Sequence, residues 1–205
     1  MPRTLAPIRE EEVALRRPPG RPRSEEARAA ILRATLKLLQ KICLPDLTIE
    51  AIAAEAGVGK ATVYRWWPTK PALVADAFAS SASEELRFPD SGSVRTDLSL
   101  QMKQLVKVLR SPRGRIVAAM LGGGVFDPEL TDAFRDRFML PRRLEAYETL
   151  KRGIKRGELP VNTNLDVLLD SLYGSVYMRL IIRHDALNDE FIDTLCEQVI
   201  RGVTS

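Results

Sequence analysis

The stretch LTIEAIAAEAGVGKATVYRWWPTKPAL, residues 47–73, decides the fold. Three short-range signals divide it. Thr48 is an N-cap ahead of Ile49–Ala56, because its hydroxyl accepts from an amide that a helix start leaves unpaired. Gly57 breaks that helix, because glycine takes a left-handed backbone without a Cβ clash. Pro68 stops a second short helix, about Lys60 to Trp66, by disfavouring helical geometry in the residue before it. Two helices meeting at such a corner need a small residue at the crossing, and Ala53 fits. They also need apolar side chains to pin the angle, and Ile49, Ile52, Val58 and Val63 have the spacing. A corner of this kind turns the N-terminal side of the second helix outward, the geometry that enters a DNA major groove.

The outward face of that second helix reads Gly59, Lys60, Ala61, Thr62, Tyr64 and Arg65, with no acid between Glu55 and Asp76. Lys60 and Arg65 suit phosphates or guanine edges. Thr62 suits a phosphate, a base edge or a thymine methyl. Tyr64 and Lys70 suit phosphates at the rim of the groove. Net charge supports this placement. Residues 1–80 hold 13 Lys/Arg against 9 Asp/Glu, and residues 81–205 hold 18 of each. The whole excess of +4 therefore lies in the first 80 residues, where a polyanion is expected to bind.

Upstream, Ser24 is a plausible N-cap, with Glu25 and Glu26 in the first turn, where the helix dipole favours anions. Ala27, Ile31, Leu32, Thr35, Leu38, Leu39 and Ile42 form a helical stripe that Pro45 ends. Downstream, Thr69 caps a fourth helix running to about Arg87, with Pro71 tolerated in its first turn. Residues 1–23 show no periodicity and are expected to be a disordered basic arm. Within it, Pro19-Gly20-Arg21-Pro22-Arg23 has the extended, arginine-bearing form that suits a narrow A·T minor groove. A basic leader that raises only non-specific affinity is the alternative for Arg21 and Arg23.

The run from Gly57 to Lys70, GVGKATVYRWWPTK, followed by Ala72-Leu73, resembles the signature of TetR-family transcriptional regulators. Residues 24–75 match that family's DNA-binding domain in helix order and spacing. The resemblance implies that the third helix is the recognition helix. It implies phosphate contacts by Tyr64, Trp66 and Lys70, and a buried Trp67. Gly59 stands where the family usually has Ser or Thr, and Trp66 where it often has His or Tyr.

Composition excludes several classes. The chain is 45% hydrophobic and 28% charged, typical of a soluble globular protein. No apolar run is long enough to span a bilayer, and the N-terminal segment lacks the apolar core of a signal peptide, so a cytoplasmic protein without membrane contact is expected. Cys43 and Cys196 sit in apolar stretches and are expected as buried free thiols. With His184 as the sole histidine, a Cys/His metal site is not expected. No nucleophile–base arrangement is visible, so neither an enzyme nor a cofactor is expected. Asp166 and Asp170 share a helical face, where a surface pair is the plain reading.

Beyond the turn-rich Phe88–Ser93, helices are expected at about 94–110, 112–122, 128–156, 163–184 and 188–202. The chain is thus all-α: an arm over 1–23, a helix-turn-helix domain over 24–75, and a C-terminal helical domain over 76–205. A fourth helix joins the two domains. In proteins that this chain resembles, the C-terminal region binds a small effector and dimerises. The last two helices carry a wide apolar stripe, and Leu169, Leu172, Val176, Leu180, Phe191, Leu195 and Val199 are expected at a homodimer interface. Gly174 among them allows close helix approach. A pocket for an apolar or amphipathic effector is expected among the preceding helices. Its candidate lining is Met102, Leu105, Val106, Met120 and Phe126, with Phe134, Phe138, Tyr147, Tyr173 and Tyr177. The functional expectation is a dimer on a palindromic operator in double-stranded DNA, released by the effector. A solid C-terminal core would instead indicate a constitutive dimeric DNA-binding protein.

Overall fold

The computed structural model describes residues 25–204. The arm, with Arg21 and Arg23, and the Ser24 cap lie outside the described residues. The described residues form ten α-helices and one π-helical segment, with no strand. In order these are α1 (Glu25–Leu39), α2 (Ile49–Ala56), α3 (Lys60–Trp66), α4 (Lys70–Ala82), α5 (Val94–Arg110), α6 (Gly114–Gly123) and α7 (Pro128–Phe134). The π-helical segment (Arg135–Met139), α8 (Leu140–Lys155), α9 (Leu165–Ile182) and α10 (Asp189–Thr204) complete the chain.

The local signals of residues 47–73 act as their chemistry dictates. The Thr48 hydroxyl accepts from the Ala51 amide at 3.1 Å. Gly57 sits at φ 67°, and Val58 N–H returns to the Ala53 carbonyl at 2.9 Å, closing the corner. Thr69 caps α4 by accepting from Ala72 N–H at 3.2 Å. Ile49, Ile52, Ala53 and Val63 are all buried at the corner.

α1, α2 and α3 pack together, and α4 lies against α1 on one side and against α7 and the π-helical segment on the other. Most of α4 is buried, including the run Pro71–Ala75, Ala77, Phe78 and Ala82. The division expected after residue 75 therefore falls inside a helix that belongs to both cores. Among the C-terminal helices, α10 packs on α5 and α9, and α6 on α7 and α9. The turn from α5 to α6 requires Gly114, because a Cβ there would lie 1.7 Å from the Leu109 carbonyl oxygen.

Several expectations need correction. α4 ends at Ala82 rather than near Arg87. Its exit is rich in serine, and Ser81 and Ser83 donate to the carbonyls of Phe78 and Ser80, a local bond that competes with helix continuation. The expected helix over 128–156 is interrupted by the π-helical segment. α1 stops at Leu39, so Cys43 falls in the following loop and is exposed, while Cys196 is buried as expected. Burial pushes the Cys196 thiol up to about 11. Asp166 and Asp170 are not a bare surface pair, because both receive the Arg143 guanidinium, each at 2.7 Å.

Candidate nucleic-acid interface and C-terminal cavity

α3 presents Lys60, Ala61, Tyr64 and Arg65 to solvent on one face, with Thr62 half-buried beside them and Val63 anchoring the opposite side. The corner at Gly57 and the stop at Pro68 leave this face uncovered by the other described residues. Lys60 pairs with Glu50 at 2.9 Å, and this contact holds the Glu50 carboxyl below its usual range. Both side chains are exposed, so the pair is weak and exchangeable for a phosphate. The Thr48 hydroxyl is used as an acceptor by its cap and retains its proton for donation.

The exit of α3 is fixed by aromatic packing. Trp67 is buried, and its indole N–H donates to Asp76 Oδ2 at 2.7 Å. Trp66 is half-buried and tilted against Trp67, and the Arg28 guanidinium lies over both rings at 5.8 and 6.0 Å. The aromatic pair thus pins α3 to α1. Lys70 differs from expectation. Its ammonium donates to the carbonyls of Leu44, Pro45 and Leu47 at 3.3, 3.3 and 2.9 Å. An ammonium has three N–H bonds, and all three are taken by the loop between α1 and α2. The side chain expected at a phosphate is in this state a clamp on that loop.

In the C-terminal helices a cavity of about 230 Å³ opens among Leu86, Gln101, Leu105, Phe138, Met139, Arg142, Arg143, Asp170, Tyr173, Gly174 and Tyr177. Four expected lining residues meet there: Leu105, Phe138, Tyr173 and Tyr177. Met102, Val106, Met120 and Phe134 are buried and stand outside the lining. Phe126 is 90% exposed, because residues 124–126 are a surface turn between α6 and α7. Tyr147 lies behind the rim, donating to Asp166 and accepting from Arg143 Nε at 3.2 Å. Sequence reasoning missed Gln101, Arg142 and Arg143. Gln101 falls on the buried stripe of α5 with Leu98, Met102 and Leu105, and that register could have flagged it.

The wall of the cavity rests on α4. Phe138 packs edge-on against Phe78 of α4, with ring centroids 4.8 Å apart. The neighbouring Arg137 donates at 2.8 Å to Asp76 Oδ2, the same oxygen that holds the Trp67 indole. Leu86, just past α4, lines the cavity while its carbonyl accepts from Arg142 at 2.9 Å.

The expected dimer residues divide. Leu169, Leu172 and Val176 are fully buried within one protomer, because α9 is sandwiched against α6, α8 and α10. They are core rather than surface. Leu180, Phe191, Leu195 and Val199 are half-buried. The outward apolar side chains of α9 are Val167, Met178, Ile181 and Ile182. Gly174 brings no helix of the same protomer close, since nothing lies within 4 Å of a Cβ placed there.

Comparison with known proteins places this geometry. Residues 31–77 match the family model of bacterial regulatory proteins, tetR family, and residues 88–199 match that of the tetracyclin repressor-like C-terminal domain. The chain belongs to the TetR family. The helix-turn-helix regulator YdeS of Bacillus subtilis is 38% identical over 90% of this chain and 93% of its own. The DNA-binding transcriptional repressor TetR of Mycobacteroides abscessus is 28% identical over 87% of this chain and 94% of its own. The crystal structure of the TetR family transcription regulator SCO0332 superposes with a TM-score of 0.78 at 36% identity, covering 87% of this chain and 98% of that one. The present chain is accordingly a helix-turn-helix DNA-binding transcriptional regulator, of a family whose members act as dimers. No helix among the described residues is long and apolar enough to cross a membrane.

Proposed function

We propose that this TetR-family regulator is a cytoplasmic repressor that holds a palindromic operator as a homodimer and releases it when a small molecule fills the C-terminal cavity. The carrying observation is the uncovered cationic face of α3, held out by the Gly57 corner. In this reading Lys60, Ala61, Thr62 and Arg65 meet the major groove, and Thr48, Tyr64 and Trp66 meet phosphates along its edge. Lys70 contributes by fixing the α1–α2 loop against α4 with its ammonium rather than by meeting a phosphate. The homodimer forms through the outward faces of α9 and α10, with Val167, Met178 and Ile182 at its centre and Leu195 and Val199 flanking.

Effector control rests on the cavity wall. A ligand pressing on Phe138 and Leu86 displaces α4, which carries Phe78 and Asp76, and so re-aims α3 through Trp67. The π-helical segment suits this role, because single-turn departures from α geometry are frequent at functional sites. The cavity favours this reading over a constitutive binder.

Selection of bound sequences from random duplex DNA tests the proposal. The expected product is an inverted repeat whose half-sites are centred about one helical turn apart, or a multiple of it. Recovery of a single unrepeated site, or of no preferred sequence, would overturn the dimeric operator.

A further inference from the structure

The lining of the C-terminal cavity is specific enough to name the class of molecule it takes. Most of it is apolar or aromatic, from Leu86, Leu105, Phe138, Met139 and the rings of Tyr173 and Tyr177. Two polar groups break that surface from opposite helices. Gln101, on α5, is 1% exposed, and its Oε1 accepts from the Tyr173 hydroxyl at 2.9 Å. Its amide N–H groups meet no acceptor among the described residues. Tyr177, one turn beyond Tyr173 on α9, has its ring held edge-on by Phe134 at 6.1 Å. Burial raises its phenol, and among the described residues its hydroxyl meets no hydrogen-bond partner. Polar groups in an apolar wall are normally bonded, and a ligand that leaves both unmatched is disfavoured. Both belong to the wall of the same cavity.

The charged groups at the rim are already matched. Arg143 donates to Asp166, Asp170 and the Tyr147 hydroxyl. Arg142 donates to the Leu86 carbonyl and pairs with Glu145 at 3.0 Å. An anionic ligand would have to take a guanidinium from carboxylates it already satisfies, and a cationic one would face two guanidinium groups and compete with Arg143 for Asp170. A neutral molecule meets neither cost.

We infer that the cavity binds a neutral, mainly hydrocarbon ligand of about two fused rings that carries one carbonyl-type oxygen, received by the Gln101 amide and the Tyr177 hydroxyl. This rests on the cavity being the effector site. A carbonyl oxygen has two lone pairs, and the wall offers two unmatched donor groups held in place by packing. The apolar walls supply affinity, and the two donors discriminate against the bare hydrocarbon.

Equilibrium dialysis of the full chain against three shape-matched probes tests this: α-tetralone, tetralin and α-naphthoate. α-Tetralone is expected to bind about tenfold tighter than tetralin, the loss typical when a site's donors go unmatched. Naphthoate is expected to bind more weakly than α-tetralone. Tyr177→Phe and Gln101→Met should each bring α-tetralone towards tetralin while leaving tetralin binding intact. Tyr177→Phe should not lower the melting temperature, since it removes an unmatched hydroxyl. Equal binding of α-tetralone and tetralin, tightest binding of naphthoate, loss of tetralin binding in both variants, or no binding of any probe each overturns the assignment. Operator release is scored separately. Binding in the expected order without release keeps the ligand class and removes the effector role.

Discussion

At the scale of single residues, the interface divides into side chains that hold its shape and side chains free to act on DNA. Trp67 and Lys70 are engaged within the protein, through an indole–carboxylate bond and three carbonyls, while Thr48 caps α2 and still has its proton to donate. Among the described residues Lys60 has only its exposed partner Glu50. Lys60→Ala should therefore weaken operator binding and lower the slope of log affinity against log salt by about one. Fluorescence anisotropy across a salt series measures both, and unchanged affinity and slope would remove Lys60 from the groove. The two cysteines give a second residue-scale expectation. Cys43 is exposed, whereas Cys196 is buried with its thiol pushed up to about 11. A chromogenic disulfide reagent at neutral pH should titrate one thiol in the native chain and both after denaturation, because the thiolate is the reactive form. Rapid reaction of both in the native state would contradict the packing around Cys196.

At the scale of elements, the helix-turn-helix was legible because its signals are local. Thr48, Gly57 and Pro68 act within a few residues of themselves, and no distant partner changes their meaning. α9 was less legible. Leu168, Leu169, Leu172 and Val176 face inward while Val167, Met178, Ile181 and Ile182 face out, so apolar residues occupy all sides. A helix apolar all round has no phase in its sequence, and only the neighbouring helices decide which side is core. The cavity was half legible for a similar reason. Aromatic residues at helical spacing mark themselves as lining by type, whereas Gln101 on the buried stripe of α5 is by type a surface residue. The π-helical segment gave no sequence signal. Its Arg137 bond to Asp76 is the sole polar link found between that segment and α4. Arg137→Leu should leave effector binding intact but reduce, several-fold, the effector's influence on operator affinity, since coupling free energies are typically a few kcal/mol. Binding assays with and without effector resolve the two effects, and undiminished coupling would exclude Arg137 from the link.

At the scale of the whole molecule, the same helix serves the core and the dimer on different faces, and substitutions should separate the two. Ile182→Glu places a charge on the outward face of α9 and should yield folded monomers by light scattering, with loss of tight operator binding. Leu172→Ala opens a cavity inside the protomer, and should cost about 2–5 kcal/mol of stability while leaving the association state unchanged. The reverse pattern would return the interface to the buried stripe. The basic arm belongs to this scale as well. Deleting residues 1–22 should weaken operator binding at moderate salt, most strongly where A·T pairs flank the half-sites. Equal affinity with and without the arm would remove its role.

The exposed Cys43 also supplies a measuring device. Its loop is clamped to the start of α4 by the Lys70 ammonium, so a spin label on the native thiol would ride with the DNA-reading unit rather than drift on a loose tether. A symmetric pair of chains would carry one label each. Pulsed electron resonance on the unaltered protein would then read the separation of the two reading heads as a distance distribution, and the shift in its maximum on adding a ligand would be the stroke of the switch.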